Sequence, residues 1–500
     1  FSLTRDPYLF ELYITLRPGV PIEKAEQACF DVITQVQQDG LTDEEFEKAK
    51  RQYRAQFVYA SEGVQNYARW LGSMEMVHTY KAYEQFLENL SNGIVVLGQE
   101  NAVVPAVTIR LNVRAGSVYE RAEKAGLASI TASMLRRGTT RRTFQQLNEE
   151  TESVGMSLST GANSFLAEAS LRCLSDDLDL GIDVLSDVLL NPSFPADELE
   201  KVRNLVLTAL READDDTRAM ADRTFRELAY PEGHPFRRRT SGYVETVQAI
   251  ARDDLEQFHQ SMYHPDGAIV TVVGAVRFPD IVERLERALG GWRPRGSPVP
   301  LEVPAVAPQP HPERPVREVE LQGKSQSDFV VGHPSIPRQH PDWYALSMAN
   351  LILGRLGLYG RLGANVRDSL GLAYYVFSTL EGGLGPGAWA IHAGVNPANL
   401  QRAIDAALSE VERIRREPVT EDELRGGQNY ATGVLALRLE TTDGVARMLQ
   451  EIEIYQLGLD YVDRYPGIIR SLTRERLLDA AQRHIVPDAF ALAIAGPSRA

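Results

Sequence analysis

Cysteine is nearly absent: two in 500 residues, Cys29 and Cys173, far apart in the chain. That excludes a disulfide framework, and the apolar surroundings of both lead us to expect buried free thiols. No stretch approaches the roughly 20 consecutive apolar residues that a membrane-spanning helix needs. Basic charge is not in excess either. A net charge of −15 argues against nucleic acid as a partner, because phosphate binding requires concentrated basic surface. Solubility accounts for the acidity better than a dedicated tunnel for basic peptides. The opening Phe1-Ser-Leu-Thr-Arg5 has neither an initiator Met nor a signal-peptide pattern, so a fragment of a longer chain is expected, and no compartment can be read. What is present is enough for two or three cored domains, with 43% hydrophobic residues over 500 positions.

One segment is notable for missing donors. In Gly126-Leu-Ala-Ser129-Ile-Thr-Ala132-Ser133-Met-Leu-Arg-Arg-Gly-Thr139, the residues Leu127, Ile130, Thr131, Met134 and Leu135 recur at helical spacing as an apolar stripe. Ser129, Ala132 and Ser133 are left together on another face. Ala115-Gly116-Ser117 and Glu120 precede this helix. A second long helix is expected through Val206-Leu-Thr208-Ala209-Leu-Arg-Glu212.

Internal repetition supplies the organisation. Leu41-Thr42-Asp43-Glu44-Glu45 returns as Val419-Thr420-Glu421-Asp422-Glu423, a constant offset of 378 positions from 41 to 419. The same offset pairs Glu62, Ala68, Arg69, Leu71 and Glu75 with Glu440, Ala446, Arg447, Leu449 and Glu453. In both copies a Thr followed three residues later by Glu opens a helix as a capping box. A weaker third copy begins at Phe194-Pro-Ala-Asp197-Glu198, after a helical run from Leu178 to Leu190. Strand-like stretches precede each copy, at Phe10 to Thr15, Ala167 to Arg172 and Trp389 to Gly394. The fold class is therefore α+β, built from a repeated unit of strands, helix, acidic cap and long helix. Residues 1–90 are expected to be the tail of one unit. Residues 91–300 form a unit opening on a strand pair, Gly93–Leu97 and Ala106–Arg114, and residues 318–500 form another. The Pro-rich stretch from Arg293 to Pro315 supplies the connector, placed at 301–317. The first copy passes at Leu90 directly into Ser91-Asn-Gly93, without the final helix and strand that follow Ile468 in the second.

A further motif runs from Leu351-Ile-Leu-Gly354 through Tyr359-Gly360-Arg361-Leu362 to Val366-Arg367-Asp-Ser-Leu-Gly371-Leu-Ala-Tyr374-Tyr375. Together these segments resemble the pitrilysin/insulinase superfamily of zinc peptidases over nearly the whole chain. The resemblance implies repeated antiparallel or mixed sheets with packed helices, two halves closing as a clamshell around a peptide chamber. In that family the positions of Ser129, Ala132 and Ser133 carry His, Glu and His, and the position of Ala209 carries a third ligand, Glu. Serine and alanine supply no zinc donor there, and Glu212 lies nearly a full helical turn from Ala209. No cofactor is thus expected in this chain, and zinc is expected in a partner or upstream half. The resemblance implies that Arg367 and Tyr374, seven positions apart, face that zinc across the chamber. Arg367 would hold substrate and Tyr374 would donate to the developing oxyanion; Tyr375 competes for the second role, since a one-residue slip exchanges strand faces. The bland alternative is an Arg that caps or salt-bridges a helix end and a Tyr that opens a strand. The implied function is the zinc-free half of an endopeptidase for short or unfolded peptides. The alternative is a non-catalytic structural or peptide-binding subunit.

Other candidates carry less. Glu381-Gly-Gly-Leu-Gly385-Pro-Gly387 lacks the lysine and following helix of a phosphate loop and reads as a turn. His259 and His264, five apart, do not share a helical face. His234-Pro235 and His333-Pro334 read as turn elements.

Overall fold

The computed structural model describes residue 16, residues 21–60, 85–297, 300–301 and 303–498. The Phe10–Thr15 stretch and the repeat positions Glu62, Ala68, Arg69, Leu71 and Glu75 lie outside the described residues. Among the described residues the helices of the first part are α1 (Ile22–Asp39), α2 (Asp43–Ala60), the shorter α3 (Leu127–Met134) and α4 (Phe144–Ser153), and then α5 (Leu178–Leu190), α6 (Ala196–Asp214) and α7 (Thr217–Ala229). They are followed by the short α8 (Val244–Ala249), then α9 (Arg252–Met262) and α10 (Phe278–Leu289). The second part holds α11 (Trp343–Asn350), α12 (Leu400–Arg416), α13 (Glu421–Arg438), α14 (Thr442–Ile454), α15 (Tyr461–Arg470) and α16 (Arg474–His484). Among the described residues no helix is long and apolar enough to cross a membrane.

Two mixed sheets organise these helices. The first contains β1 (Gln85–Asn89), β2 (Val95–Glu100), β3 (Ala106–Val113), β4 (Ser157–Ala162), β5 (Ala167–Leu174) and β6 (Ile269–Gly274), in the order β1-β2-β6-β3-β5-β4. The second contains β7 (Val316–Glu320), β8 (Ser327–Pro334), β9 (Ala373–Leu380), β10 (Ala388–Val395) and β11 (Ala491–Gly496), in the order β7-β11-β8-β10-β9. Apart from β1, the two orders correspond strand for strand, and among the described residues each sheet has a single parallel pair, β2 with β6 and β7 with β11. The expected strand pair near residues 93–114 needs correction. β2 and β3 are both strands, but β6 lies between them, parallel to one and antiparallel to the other. A strand more than 150 positions downstream outcompetes the local hairpin because it brings a fully buried stretch, Ile269 to Val273, apolar but for Thr271, to both neighbours.

The alternation along the strands explains how the units join. In β11, Leu492 and Ile494 face the helices of their own unit, whereas Ala491, Ala493 and Ala495 face α7, where they meet Ala221 and Phe225. In β6, Val270 and Val272 face inward, whereas Ile269 and Val273 meet Val445, Ala446 and Leu449 of α14. Each sheet is therefore covered on its second face by a helix of the other unit, and burial on both faces is why β11 reads as a continuous apolar run and β6 does so apart from Thr271. A polar seam accompanies the exchange. Thr108 on β3 hydrogen-bonds Thr442 at 2.8 Å. The buried Arg110 ion-pairs Glu168 and, at 2.6 Å, Asp443, and donates to Gln450 at 3.0 Å. On the other sheet Thr217 hydrogen-bonds Asp328 of β8.

The repeated caps form as the sequence suggests. Thr420 and Glu423 cap each other's amides at 3.1 and 2.7 Å, and Thr42 and Glu45 do so at 3.2 and 2.8 Å. At the third copy Pro195 stands at the N-cap with no side-chain bond. The offset of 378 also aligns Ile22, Ala25, Cys29, Ile33 and Val36 of α1 with Leu400, Ala403, Ala407, Val411 and Ile414 of α12. The latter five are buried against the second sheet. No residue of α1 is buried, and Ile22, Phe30 and Val36 are exposed. The expectation of two buried thiols is corrected accordingly. Cys173 is buried, and burial pushes its thiol up to about 12, but Cys29 sits half-exposed on this uncovered face.

His333, expected in a turn, lies at the end of β8, fully buried between Trp389 and Phe490. Burial lowers its pKa to about 4, outweighing the bond to the Pro334 carbonyl. Its neutral form thus stabilises the fold above the unfolded pKa of about 6.5, and that contribution is lost as pH falls from there through 4. Urea midpoints measured between pH 7 and 4 are expected to fall less steeply for His333→Gln than for the parent; equal slopes would contradict this.

Candidate functional site

The segment expected to stand at the family's zinc position is α3. Gly126, at φ 98, makes the tight entry that only a residue without Cβ adopts freely, and an added Cβ would sit 2.9 Å from the Ser241 carbonyl. The buried Glu120 carboxylate accepts the Gly126 and Ala128 amides at 3.0 and 2.9 Å, anchoring the N-terminus. Burial pushes Glu120 up to about 7 against the pull of those amides and Arg238. The apolar stripe Leu127, Ile130, Thr131, Met134 and Leu135 is buried as expected. On the other face Ala132 is buried too, while Ser129 and Ser133 are half-buried, and the Ser133 hydroxyl donates to the Ser129 carbonyl at 2.9 Å. Helix α6 packs against α3, as the third-ligand position requires, but Ala209 and Glu212 are exposed on it. Two methyl groups and two serine hydroxyls, one of them spent on its own helix, do not fit zinc.

The second region is the loop from α11 to β9. After Asn350 the helix widens into a π-turn over Leu351–Arg355, tightens at Gly357–Tyr359, and widens again over Gly363–Ser369 before Gly371, at φ 61, turns the chain into β9. Single π-turns are often found where a helix serves a site. The loop is tightly closed: a Cβ on Gly363 would lie 2.0 Å from the Gly357 carbonyl, and one on Gly354 would lie 2.5 Å from the Ser378 amide. Arg361, buried, grips Glu423 through two bonds of 2.7 and 2.8 Å. Burial raises the Glu423 pKa, but Arg361 and the Thr420 amide bring it down to about 2. Leu362, Val366, Leu372 and Val376 fix both arms in the core.

On this pinned frame Arg367 and Tyr374 are both exposed, Tyr374 by 57%, and among the described residues neither has a hydrogen-bond or ion-pair partner. The alternative of an Arg spent on a helix end is not what this geometry contains. Tyr375 points the other way. Its hydroxyl donates to Asp328 and its ring lies under Arg218 at 4.8 Å, at the junction with α7. Burial and then Asp328 raise its pKa. Tyr359, which opens the second part of the motif, is exposed by 93%, and Leu358 and Leu370 are exposed on the same loop.

The remaining candidates separate. His259 bonds the Leu189 carbonyl at 2.8 Å and stacks on Tyr263, whereas His264 pairs with Asp266 at 2.9 Å. His234 accepts the Phe236 amide at the start of a short 3-10 turn, as expected of a turn element. The Gly-rich 381–387 stretch joins β9 to β10 as a turn.

Comparison with known proteins agrees with this construction. The family model described as Insulinase (Peptidase family M16) matches residues 95–235, and the model described as Peptidase M16 inactive domain matches residues 1–53 and 249–430. The chain belongs to the M16, or insulinase, peptidase family. It is 23% identical to an uncharacterized zinc protease of Bacillus subtilis, over 81% of this chain and 97% of that protein. It is 26% identical to a probable mitochondrial-processing peptidase subunit beta of Arabidopsis thaliana, over 42% of this chain and 39% of that one. Its fold is that of a peptidase M16 inactive domain from Pseudomonas fluorescens, at TM-score 0.78 and 23% identity, covering 83% of this chain and 99% of the other. A protease from Helicobacter pylori aligns at TM-score 0.77 and 18% identity, covering 83% and 100%.

Proposed function

We propose that this chain is the zinc-free half of an M16 metalloendopeptidase acting on short or unfolded peptides in a closed chamber. The supporting observation is the combination, in one chain, of a helix without donors at the zinc position and an Arg and Tyr held exposed, and among the described residues without a partner, on a tightly packed loop. A catalytic half, upstream on the same polypeptide or on a separate subunit, supplies zinc and its bound water. This chain's own groups act on the substrate. The Arg367 guanidinium holds peptide carbonyls, and the Tyr374 hydroxyl donates to the oxygen that gains charge during attack. Residues 1–90 fit the closing part of the preceding half, because the α1 face that is uncovered here matches one seated on a sheet in α12. Residues 91–300 and 318–500, joined by 301–317, make up the zinc-free half.

A non-catalytic subunit is the second reading, favoured by the exposed Leu358, Tyr359 and Leu370, which also suit an assembly contact. The two separate on mixing. Adding this chain to a half that carries His-x-x-Glu-His is expected to raise turnover of an unstructured peptide well above that half alone. Stable association without any gain in turnover would favour the second reading.

A further inference from the structure

Asp342 stands at the N-cap of α11, where a carboxylate ordinarily accepts an amide of the first turn, yet its side chain makes no such bond. It reaches instead to the far end of the unit, where α16 terminates. There Oδ2 lies 2.7 Å from His484 Nε2 and 3.8 Å from His340 Nδ1. One donor atom from each of the three residues lies within 4.8 Å of the other two, and among the described residues this is the only such group of three or more His, Cys, Asp or Glu. We propose that His340, Asp342 and His484 form a binding site for a divalent transition metal of the zinc class, separate from the family's catalytic position.

The donor set selects the ion. Two imidazoles with one carboxylate suit Zn2+, Co2+ or Ni2+ and not the all-oxygen preference of Ca2+ or Mg2+. Tetrahedral coordination at bonds of 2.0–2.1 Å sets ligand atoms roughly 3.3 Å apart, so the 2.7 and 3.8 Å separations bracket the requirement. Shifts of about half an ångström, within side-chain reach, bring these two separations to that value. Metal binding replaces the proton between His484 and Asp342 and releases the bond by which His340 Nδ1 accepts the Asp342 amide at 3.1 Å. Burial and then His484 lower the pKa of His340, against the pull of Asp342. Arg483, at 2.6 Å from Oδ2 and 3.3 Å from Oδ1, opposes the cation while orienting the carboxylate from outside. Three protein ligands leave a fourth position for water or an anionic group. His484 and Arg483 also line a cleft of about 610 Å³ under the connector, with Pro308, Ser335 and Pro337. The bound ion would therefore tie the start of α11 to the end of α16 beside that cleft.

The test titrates the metal-free chain with Co2+ and then Zn2+. One equivalent of Co2+ is expected to give the visible absorption of a tetrahedral site, displaced by Zn2+, and His340→Ala or His484→Ala is expected to weaken binding roughly tenfold or more. Folding is monitored separately. In chelator, His340→Ala should unfold at the parent temperature, because His340 lies at the surface of the group, whereas added Zn2+ should raise the Tm of the parent and not of the variant. Absence of the absorption in the parent, or equal affinity and equal Tm shift in parent and His340→Ala, would overturn the site and leave the cluster as a link between helices.

Discussion

In the enzyme containing both halves, Tyr374→Phe is expected to lower kcat about 10²–10³-fold, the loss that removal of one oxyanion donor produces. The substitution keeps the ring and deletes only the hydroxyl, which has no partner in the described structure. Zinc content should not change, because no donor is removed. Arg367→Ala should act more on KM, since it deletes contacts made to substrate before as well as during attack. Tyr375→Phe provides the contrast. Its hydroxyl is committed to Asp328 beneath Arg218, so its loss should affect stability and leave a smaller mark on kcat. Equal kcat losses for Tyr374→Phe and Tyr375→Phe would assign the tyrosine role wrongly.

Arg110→Ala is expected to destabilise the fold by about 3 kcal/mol, the lower end of the range for breaking a buried ion pair. The lower end applies because Glu168 and Asp443 are each about a third exposed and partly solvated. Against a total stability of about 5–15 kcal/mol for a domain, that loss is large. It falls on the seam between the two units, since Asp443 and Gln450 belong to α14 and Arg110 to β3. Urea unfolding would read it directly. A change below about 1 kcal/mol would mean that the apolar contact of Val445, Ala446 and Leu449 holds the units together alone.

Much of this was legible in the chain. Helical periodicity located α3 and α5, the Thr–x–x–Glu caps located α2 and α13, and alternation located β5 and β10, because each depends on neighbours a few positions apart. The sheet order was not legible: nothing near Val95 or Ala106 tells that Ile269 to Val273 will lie between them. Nor was the exchange of α7 and α14, although the row of small residues Ala491, Ala493 and Ala495 is its trace. At the candidate site the seven-residue spacing of Arg367 and Tyr374 was visible, and Arg361 and Glu423 each stood in a motif already noted. Their pairing, 62 residues apart, is a tertiary fact. His340 and Asp342 were neighbours in sequence, but His484 joins them only because α16 ends against α11.

The most direct test of the division of labour is to assay this chain alone, saturated with Zn2+, on a short unstructured peptide. No chelator-sensitive turnover above background is expected, with any bound zinc released by His340→Ala. Chelator-sensitive hydrolysis by the isolated chain that persists in His340→Ala would contradict it.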